Sequence, residues 1–360
     1  MKILQVMPEF GLAGAEIMCE NLTYELLKLG HKVTIVSLYN YKSAITDRLE
    51  EHGVKIFYLN KTPGPDVLLI GRIRNILKEV KPDIIHTHRY VLRYVIPANL
   101  LLNIKVVHTV HNIASKEQKG IGIFLSKIFY RLNLAQPVAL SNQVRNTIYS
   151  VYGLKMSVPV IFNGINLEKY GNRNKLKLEH SERFVFLNIG RFVYAKNHET
   201  LIHAFAIFHK KYSNSYLYLI GQGSEENKIK HLVESLSLTD CVEFLGTKAE
   251  VSYYLSTTDC FILPSRYEGM PMTLIEAMAS GMPIIASNVG GIPDMLTDNE
   301  NAILIDPTVE GVLGAMEQIY QEPALRNKLA HNAYIRSKDF SAASMAECYI
   351  KFYRQILSND

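Results

Sequence analysis

The stretch PSRYEGMPMTLIEAMASGMPIIAS, from Pro264 to Ser287, carries the strongest indication of the fold. A buried strand is expected to end at Pro264, and Pro271 fits the first turn of a helix that ends before Gly281. A second apolar run, MPIIAS, follows this helix. Strand, helix and strand in this order are typical of a βαβ unit in a parallel sheet.

The same alternation of apolar runs and helical stretches extends along the whole chain. In the first half the predicted strands are KILQVMP, KVTIVSLY, VKIFYLN, PDIIHTH, KVVHTVH, PVALS and VPVIFNG. In the second half they are FVFLNIG, YLYLIG, VEFLG, CFILPS, MPIIAS and AILID. We therefore predict an α/β fold with two doubly wound, Rossmann-like domains.

Domain boundaries follow from a polar stretch without periodicity between the two series. We assign residues 1–165 to a first domain, 166–183 to a linker, 184–338 to a second domain and 339–360 to a C-terminal helix. This helix is amphipathic and needs an apolar surface to pack on. Its apolar positions are Met345, Cys348, Tyr349, Phe352, Tyr353 and Ile356.

Length and composition agree with two globular domains. The chain has 360 residues, of which 48% are hydrophobic and 20% charged, and it exceeds what one hydrophobic core usually serves. The opening MKILQVMPEF resembles a strand more than a signal peptide. No run reaches the roughly 18 uninterrupted apolar residues of a membrane-spanning helix, so we expect a cytoplasmic protein.

The net charge of +5 is unevenly distributed. Residues 1–165 hold 20 Lys and Arg against 11 Asp and Glu, a balance of +9, whereas residues 166–360 hold 19 against 23, a balance of −4. The basic surplus therefore predicts an anionic partner for the first half.

The Pro264–Ser287 stretch also predicts an anion site. Open α/β sheets bind ligands at strand carboxyl ends and helix N-termini, where free N–H groups and the helix dipole favour negative charge. A phosphate is expected near Gly269–Thr273. Glu276 falls in an apolar helix and is costly to bury unless it accepts hydrogen bonds, which paired ribose hydroxyls would supply. The alternative is that Glu276 caps a loop or pairs with a basic residue.

A second candidate loop lies in NIGRFVYAKNHETLIHAF, from Asn188 to Phe205. Arg191 and Lys196 fall between a buried strand and a helix that Asn197 could cap. A planar guanidinium and a mobile ammonium together suit a diphosphate, although two solvated loop cations are the alternative. No DxD motif occurs in the chain, so a metal-bridged diphosphate lacks its simplest ligand set.

Glycines lie at or just after the ends of three predicted strands. GLAGAE contains Gly11 and Gly14, LIGQGSEEN contains Gly221 and Gly223, and VEFLG ends at Gly246. Glycines let the backbone approach a sugar or phosphate closely, but turn geometry alone also accounts for them.

Four histidines cluster at predicted strand ends: His86, His88, His108 and His111. Alternation places His86 and His88 on one face, which makes a metal site conceivable. Because no acidic or cysteine partner is near in sequence, histidines of a core or cleft are the preferred interpretation. His111 is the best placed of the four to meet a substrate.

The motifs together resemble those of glycosyltransferase family 4. They are GLAGAE, PDIIHTH, HTVHN, LSNQV, FNGIN, GRFVYAKNHETLI, GQGS and EGMPMTLIEAMASGMPIIAS, and they span nearly the whole chain. The resemblance implies a GT-B fold, in which two facing Rossmann-like domains hold a nucleotide sugar in the cleft between them. It also implies that the C-terminal helix crosses back to the first domain.

The resemblance further implies a role for individual residues. Glu276, the second glutamate of an E-x7-E motif, would bind the donor ribose, and Glu268 would lie near the donor sugar. Arg191 and Lys196 would hold the diphosphate, and His111 would line the sugar pocket. The remaining donor-binding candidates are Gly269, Met270, Pro271, Thr273, Gly14, Gly221, Gly223 and Gly246. Leu12 and Ala13 separate Gly11 from Gly14 where many relatives have adjacent glycines, so the role of Gly11 stays open.

The implied activity is retaining transfer of a hexose or N-acetylhexosamine from a nucleotide diphosphate sugar, UDP by family habit, without a metal or other cofactor. The acceptor would be a glycan or lipid-linked sugar of a bacterial-type surface polysaccharide. A nucleotide-sugar epimerase and a catalytically silent partner subunit are the alternatives. A nicotinamide-dependent oxidoreductase would need GxGxxG after a strand and an acidic residue about twenty positions on, which neither loop supplies.

The basic first domain would receive the acceptor, and its charge suits a lipid diphosphate at an anionic membrane, not a nucleic acid. Acceptor-side candidates are His88, Lys119, Lys127 and Arg131. The segment KEQKGIGIFLSKIFYR mixes basic and apolar residues, so we hypothesise peripheral attachment to the inner face of the membrane there. A helix that faces the protein core is the alternative.

Overall fold

The computed structural model describes residues 1–11, 13–118, 120–170, 183–248 and 250–358. Leu12, Lys119 and most of the predicted linker lie outside these ranges. The chain forms two compact units, one of Met1–Gly164 with Ala342–Asp360 and one of Ile165–Ser341. The predicted α/β fold of two doubly wound domains is confirmed.

Six parallel strands form the sheet of the first unit within the described residues, in the order β3-β2-β1-β4-β5-β6. They are β1 (Lys2–Met7), β2 (Lys32–Ser37), β3 (Lys55–Tyr58), β4 (Ile84–His88), β5 (Lys105–Val110) and β6 (Gln136–Ala139). The central strands are buried on both faces, as parallel strands covered by helices must be.

Helices cover both faces of this sheet. They are α1 (Gly14–Lys28), α2 (Ala44–Glu51), α3 (Leu68–Val80), α4 (Leu92–Asn99), α5 (Ala114–Glu117), α6 (Ile121–Arg131) and α7 (Asn142–Tyr152). Residues of α3, α4, α6 and α7 share one hydrophobic core, and residues of α1 and α2 share another. The sheet therefore has a core on each side.

The C-terminal helix of the chain, α15 (Ala342–Ser358), belongs to the first unit and packs on α1 and β5. The hydroxyl of Tyr349 lies 2.8 Å from Thr109 Oγ1, and that of Tyr353 lies 2.6 Å from His86 Nδ1. The predicted return of this helix to the first domain is confirmed. Cys348, predicted on the apolar face, is exposed.

The second unit repeats the architecture, with the strand order β12-β11-β10-β7-β8-β9. Its strands are β7 (Phe184–Ile189), β8 (Ser215–Ile220), β9 (Val242–Gly246), β10 (Cys260–Leu263), β11 (Ile284–Ser287) and β12 (Ile303–Ile305). Its helices are α8 (His198–Lys211), α9 (Glu226–Ser235), α10 (Ser252–Thr257), α11 (Met272–Ala279), α12 (Ile292–Met295), α13 (Val309–Gln321) and α14 (Pro323–Ser337).

The predicted strand VPVIFNG is wrong. Val160 makes only an isolated bridge to Ala139, through Ala139 N–H to Pro159 O and Ile161 N–H to Ala139 O. Because Pro159 has no N–H to donate, the segment does not extend the ladder. β6 is therefore the last strand of the first sheet.

Each sheet has one point at which the strand order reverses, between β1 and β4 in the first unit and between β7 and β10 in the second. In open α/β sheets, ligands usually bind at such a point, beyond the carboxyl ends of the strands. In the second unit, Arg191 and Lys196 follow β7 and Glu268 follows β10. In the first unit, GLAGAE follows β1 and His88 ends β4.

Within the part of the chain that the structure describes, no helix combines the length and apolar composition needed to cross a bilayer.

Candidate active site

An ion pair marks the strand-order reversal of the second unit. Lys196, on the loop after β7, lies with its Nζ 2.6 Å from Oε1 of Glu268, on the loop after β10. Both side chains are largely buried. The structure therefore brings together a cation predicted to bind phosphate and a carboxylate predicted to lie near the sugar.

The same oxygen of Glu268 accepts a second hydrogen bond, 2.6 Å from Ser265 Oγ. Ser265 was missed by the sequence interpretation, although it lies within the quoted stretch. Two short bonds to a single oxygen fix the orientation of the carboxylate and draw charge from that oxygen.

Arg191 and Arg266 supply further positive charge on these loops. Arg191 is exposed. Arg266 donates from Nη1 to Tyr194 O at 2.9 Å, and its guanidinium lies 4.2 Å from the centre of the Tyr194 ring. The loop after β7 thus carries one exposed cation and one engaged in an ion pair.

Asn197 does not cap α8 with its side chain, contrary to the sequence expectation. Its backbone is left-handed, with φ 57°, and its amide Nδ2 donates to Pro264 O and Pro307 O, each at 3.1 Å. The amide therefore ties the loop after β7 to those after β10 and β12, which gives Asn197 a supporting role instead of a cap.

Two glycines allow backbone to pack against backbone around this site. A Cβ at Gly221 would lie 2.0 Å from Gly190 O, and one at Gly290 would lie 2.0 Å from Glu268 O. Both residues have positive φ, 144° and 65°. Gly221 thereby supports the Arg191 loop, and Gly290 supports the Glu268 loop.

The other donor-binding candidates of the second unit occupy three loops. Gly223 packs against Phe192 in the same manner as Gly221, and Gly246 ends β9 with φ 67°. At the start of α11, Gly269, Met270 and Pro271 are buried and Thr273 is partly exposed. Pro271 precedes the helix as its N-cap.

Glu276 is 5% exposed on α11, and burial raises the pKa of its carboxyl to about 7. Tyr170 donates from its hydroxyl to Glu276 Oε1 at 3.1 Å. The sequence interpretation missed Tyr170, because nothing near it in sequence signals a contact across 106 positions.

Of the four histidines clustered at strand ends, His86, His88 and His111 form a row of neighbouring rings beside the strand-order reversal between β1 and β4. His108, on β5, faces the other side of the sheet, with its Nδ1 2.8 Å from Thr87 Oγ1. The rings of His86 and His88 lie on one face, with centroids 4.3 Å apart. The nitrogens of His86 lie within hydrogen-bond distance of Thr109 and Tyr353. Both nitrogens are thus engaged by protein groups, which supports the interpretation as core or cleft histidines.

Burial lowers the pKa of His88 well below its usual value and that of His111 to about 3, so both rings are neutral near pH 7. His88 Nε2 lies 2.7 Å from Gln5 Oε1, and its Nδ1 lies 3.0 Å from His111 Nε2. An amide oxygen only accepts, so His88 donates from Nε2 and accepts from His111 Nε2. His111 Nδ1 therefore retains a lone pair.

Two charged residues near these histidines, Arg89 and Glu117, were also missed from the sequence. Arg89, with φ 57°, donates from Nη1 to the buried Glu16 Oε1 at 2.9 Å. Burial raises the pKa of the Glu117 carboxyl to about 7, although the backbone N–H groups of His111 and Asn112 lower it.

Gly14 is the exposed first residue of α1, on the loop after β1. Of the acceptor-side candidates, His88 ends β4, whereas Lys127 and Arg131 lie on α6. Lys119 lies outside the described residues.

The described residues contain no group of three or more His, Cys, Asp or Glu side chains arranged to hold a metal ion.

Two doubly wound units, with charged groups gathered where each strand order reverses, are typical of the GT-B fold. Comparison with known families identifies the chain further. Residues 12–169 match the model described as "Glycosyltransferase Family 4", and residues 172–336 match the one described as "Glycosyl transferases group 1". The chain belongs to glycosyltransferase family 4 and acts on a nucleotide sugar.

Individual proteins agree with this assignment. An uncharacterized glycosyltransferase of Haemophilus influenzae is 25% identical over 93% of this chain and 94% of its own length. A UDP-Gal:alpha-D-GlcNAc-diphosphoundecaprenol alpha-1,3-galactosyltransferase of Escherichia coli is 27% identical over 80% of this chain and 82% of its own. The crystal structure of Anabaena HepE in complex with UDP and glucose superposes with a TM-score of 0.87 at 20% identity, over 98% of this chain and 99% of that one. The assignment favours sugar transfer over epimerisation or a silent partner role.

The packing of Gly290 against Glu268 predicts the effect of a single methyl group. Gly290→Ala should lower the free energy of unfolding by about 1–3 kcal/mol, because the Cβ clashes with backbone and φ is positive. Gly314→Ala, on α13 with open space around it, is the matched control and should raise stability by up to about 1 kcal/mol. Urea unfolding of both variants measures the difference, and equal stabilities would contradict the packing argument.

Proposed function

We propose that the chain is a retaining glycosyltransferase that moves a hexose or N-acetylhexosamine from a UDP-sugar to a glycan or lipid-linked acceptor in bacterial-type surface polysaccharide synthesis. The observation that carries this proposal is the Lys196–Glu268 ion pair at the strand-order reversal of the second sheet. A cation and a carboxylate there suit a diphosphate and a sugar hydroxyl, respectively.

In the proposed donor complex, Arg191 and Lys196 contact the diphosphate, and the start of α11 faces the same group with its positive dipole end. Glu276 accepts the ribose hydroxyls. The choice of UDP is supported by HepE, which was crystallised with UDP and glucose, and by the E. coli relative, whose name gives UDP-galactose as donor.

The proposed reaction exchanges one bond for another on the same face of the sugar. The bond from C1 to the phosphate oxygen breaks as the bond from C1 to the acceptor oxygen forms, and the acceptor hydroxyl proton passes to the leaving phosphate. Lys196 and Arg191 would stabilise the charge on that phosphate, so the mechanism assigns no role to a metal.

Glu268 suits positioning better than nucleophilic attack. Its Oε1 already accepts from Lys196 and Ser265, which lowers the charge available for attack on C1. In the first unit, the free lone pair at His111 Nδ1 could accept a hydrogen bond from a sugar hydroxyl. The acceptor is proposed to bind this basic unit, since the E. coli relative is named for a diphosphoundecaprenol acceptor.

A panel of UDP-, GDP-, ADP- and dTDP-sugars tests the donor assignment through thermal stabilisation and slow hydrolysis. UDP-sugars should stabilise the protein and be hydrolysed, and Lys196→Ala should lose both effects because the diphosphate loses a cation. Lys210→Ala, an exposed lysine on α8, is the control and should behave as the unmodified protein. The proposal fails if no nucleotide sugar binds better than bare nucleotide.

The raised pKa of Glu276 predicts how UDP binding depends on pH. An ionised carboxylate accepts two ribose hydroxyls and a protonated one does not, so affinity should fall as pH drops through about 7. Glu276→Gln should weaken UDP binding about 10- to 100-fold at pH 8 and by much less at pH 6. Calorimetric titration at both pH values measures the UDP affinity of each protein. The role of Glu276 would be contradicted if the ratio of the affinity of the unmodified protein to that of Glu276→Gln were the same at pH 8 and pH 6.

Peripheral membrane attachment remains part of the proposal and is supported by α6. Ile121 and Phe124 are 70% and 61% exposed, and Lys127 and Arg131 continue the same helical stripe. Other residues of α6 pack into the core, so the helix serves both the fold and an exposed apolar and basic surface. This combination suits an anionic bilayer surface.

Charge reversal tests this attachment. Lys127→Glu with Arg131→Glu should reduce binding to phosphatidylglycerol vesicles about tenfold or more, since each of the two basic residues contributes about 1 kcal/mol near an anionic surface. Lys210→Glu with Lys328→Glu makes the same change in net charge on the second unit and should have little effect. Cosedimentation measures the binding, and vesicle binding equal in both double variants would refute attachment through α6.

A further inference from the structure

The contact between Tyr170 and Glu276 lies at the proposed ribose site. The Tyr170 hydroxyl donates to Glu276 Oε1 at 3.1 Å. Burial raises the pKa of the Tyr170 phenol, so the hydroxyl keeps its proton and stays a donor. The other carboxylate oxygen, Glu276 Oε2, takes no part in this hydrogen bond.

Local backbone bonds hold Tyr170 in place. Ile165 bridges to Ser341 and donates from its N–H to Phe340 O at 3.0 Å. A 3-10 turn at Leu167–Lys169 follows, and the Tyr170 N–H donates to Leu167 O at 3.1 Å. The phenol is therefore presented to Glu276 from an anchored segment.

Several groups set the charge state of Glu276. Burial is the largest influence and raises its pKa, the Tyr170 hydroxyl lowers it by hydrogen bonding to the charged form, Glu250 raises it and Lys169 lowers it. Because a buried carboxylate without donors would take up a proton near neutral pH, the phenol favours the ionised form that a ribose needs.

We propose that Tyr170 is a positioning residue for donor binding, whose hydroxyl orients the Glu276 carboxylate and keeps it ionised for the ribose. The inference rests on the proposed function, since it assigns the ribose to Glu276. A tyrosine that only tied the segment to α11 would affect stability without changing how UDP binding depends on pH.

Tyr170→Phe removes the hydroxyl and keeps the ring, and UDP is the probe. Calorimetric titration from pH 5.5 to 9 should show about 5- to 10-fold weaker UDP binding at pH 7, with the acid-side loss of affinity displaced to higher pH. The sign follows because loss of a donor to the charged form raises the pKa of Glu276. The terminal phosphate of UDP ionises in the same way with every variant. A shift between variants in the pH at which half of the UDP affinity is lost therefore reflects a change in the protein.

Tyr253→Phe is the matched control, because its ring is 60% exposed in the same unit, and it should bind UDP as the unmodified protein does. Three results for Tyr170→Phe would overturn the inference: unchanged affinity, weaker affinity with the same midpoint, or tighter binding, which would mean that the phenol occupies the place of the ribose. Failure of the unmodified protein to bind UDP would instead contradict the proposed function, and the inference with it.

Discussion

The ion pair between Lys196 and Glu268 is the interaction on which the rest of the site depends. A buried carboxylate is tolerated only when it is paired or hydrogen-bonded, and Glu268 satisfies this through Lys196 and Ser265. The pair joins the loops after β7 and β10, the two adjacent strands at which the order of the second sheet reverses. One contact therefore fixes the position of the cation and the orientation of the carboxylate.

The surrounding backbone gives this pair a rigid support. The Asn197 amide ties three loops together, and glycine at positions 221 and 290 lets neighbouring loops approach at distances that a Cβ would prevent. Glu276 is satisfied differently, by the Tyr170 hydroxyl, and burial raises the pKa of its carboxyl to about 7. The two glutamates of the E-x7-E motif thus differ in their physical environment, as their separate proposed roles require.

Much of this architecture could be predicted from local sequence, because buried parallel strands are short apolar runs bounded by turn residues. VPVIFNG shows the limit of that rule. The run is apolar, but Pro159 lacks the backbone N–H that a sheet strand needs, and a pattern of hydrophobic residues does not reveal this. Asn197 was expected to cap a helix, yet its side-chain amide donates hydrogen bonds to residues 67 and 110 positions away. Tyr170 and Arg89 were missed for the same reason: their partners are distant in sequence, and no local periodicity encodes such contacts.

A crystal structure of the protein with UDP tests the central claim most directly. In that structure, the ribose hydroxyls should lie within hydrogen-bond distance of the Glu276 carboxylate, and a phosphate oxygen should lie beside Lys196 Nζ, at the carboxyl ends of β7 and β10. UDP bound elsewhere, or bound here with its ribose away from Glu276, would contradict the account.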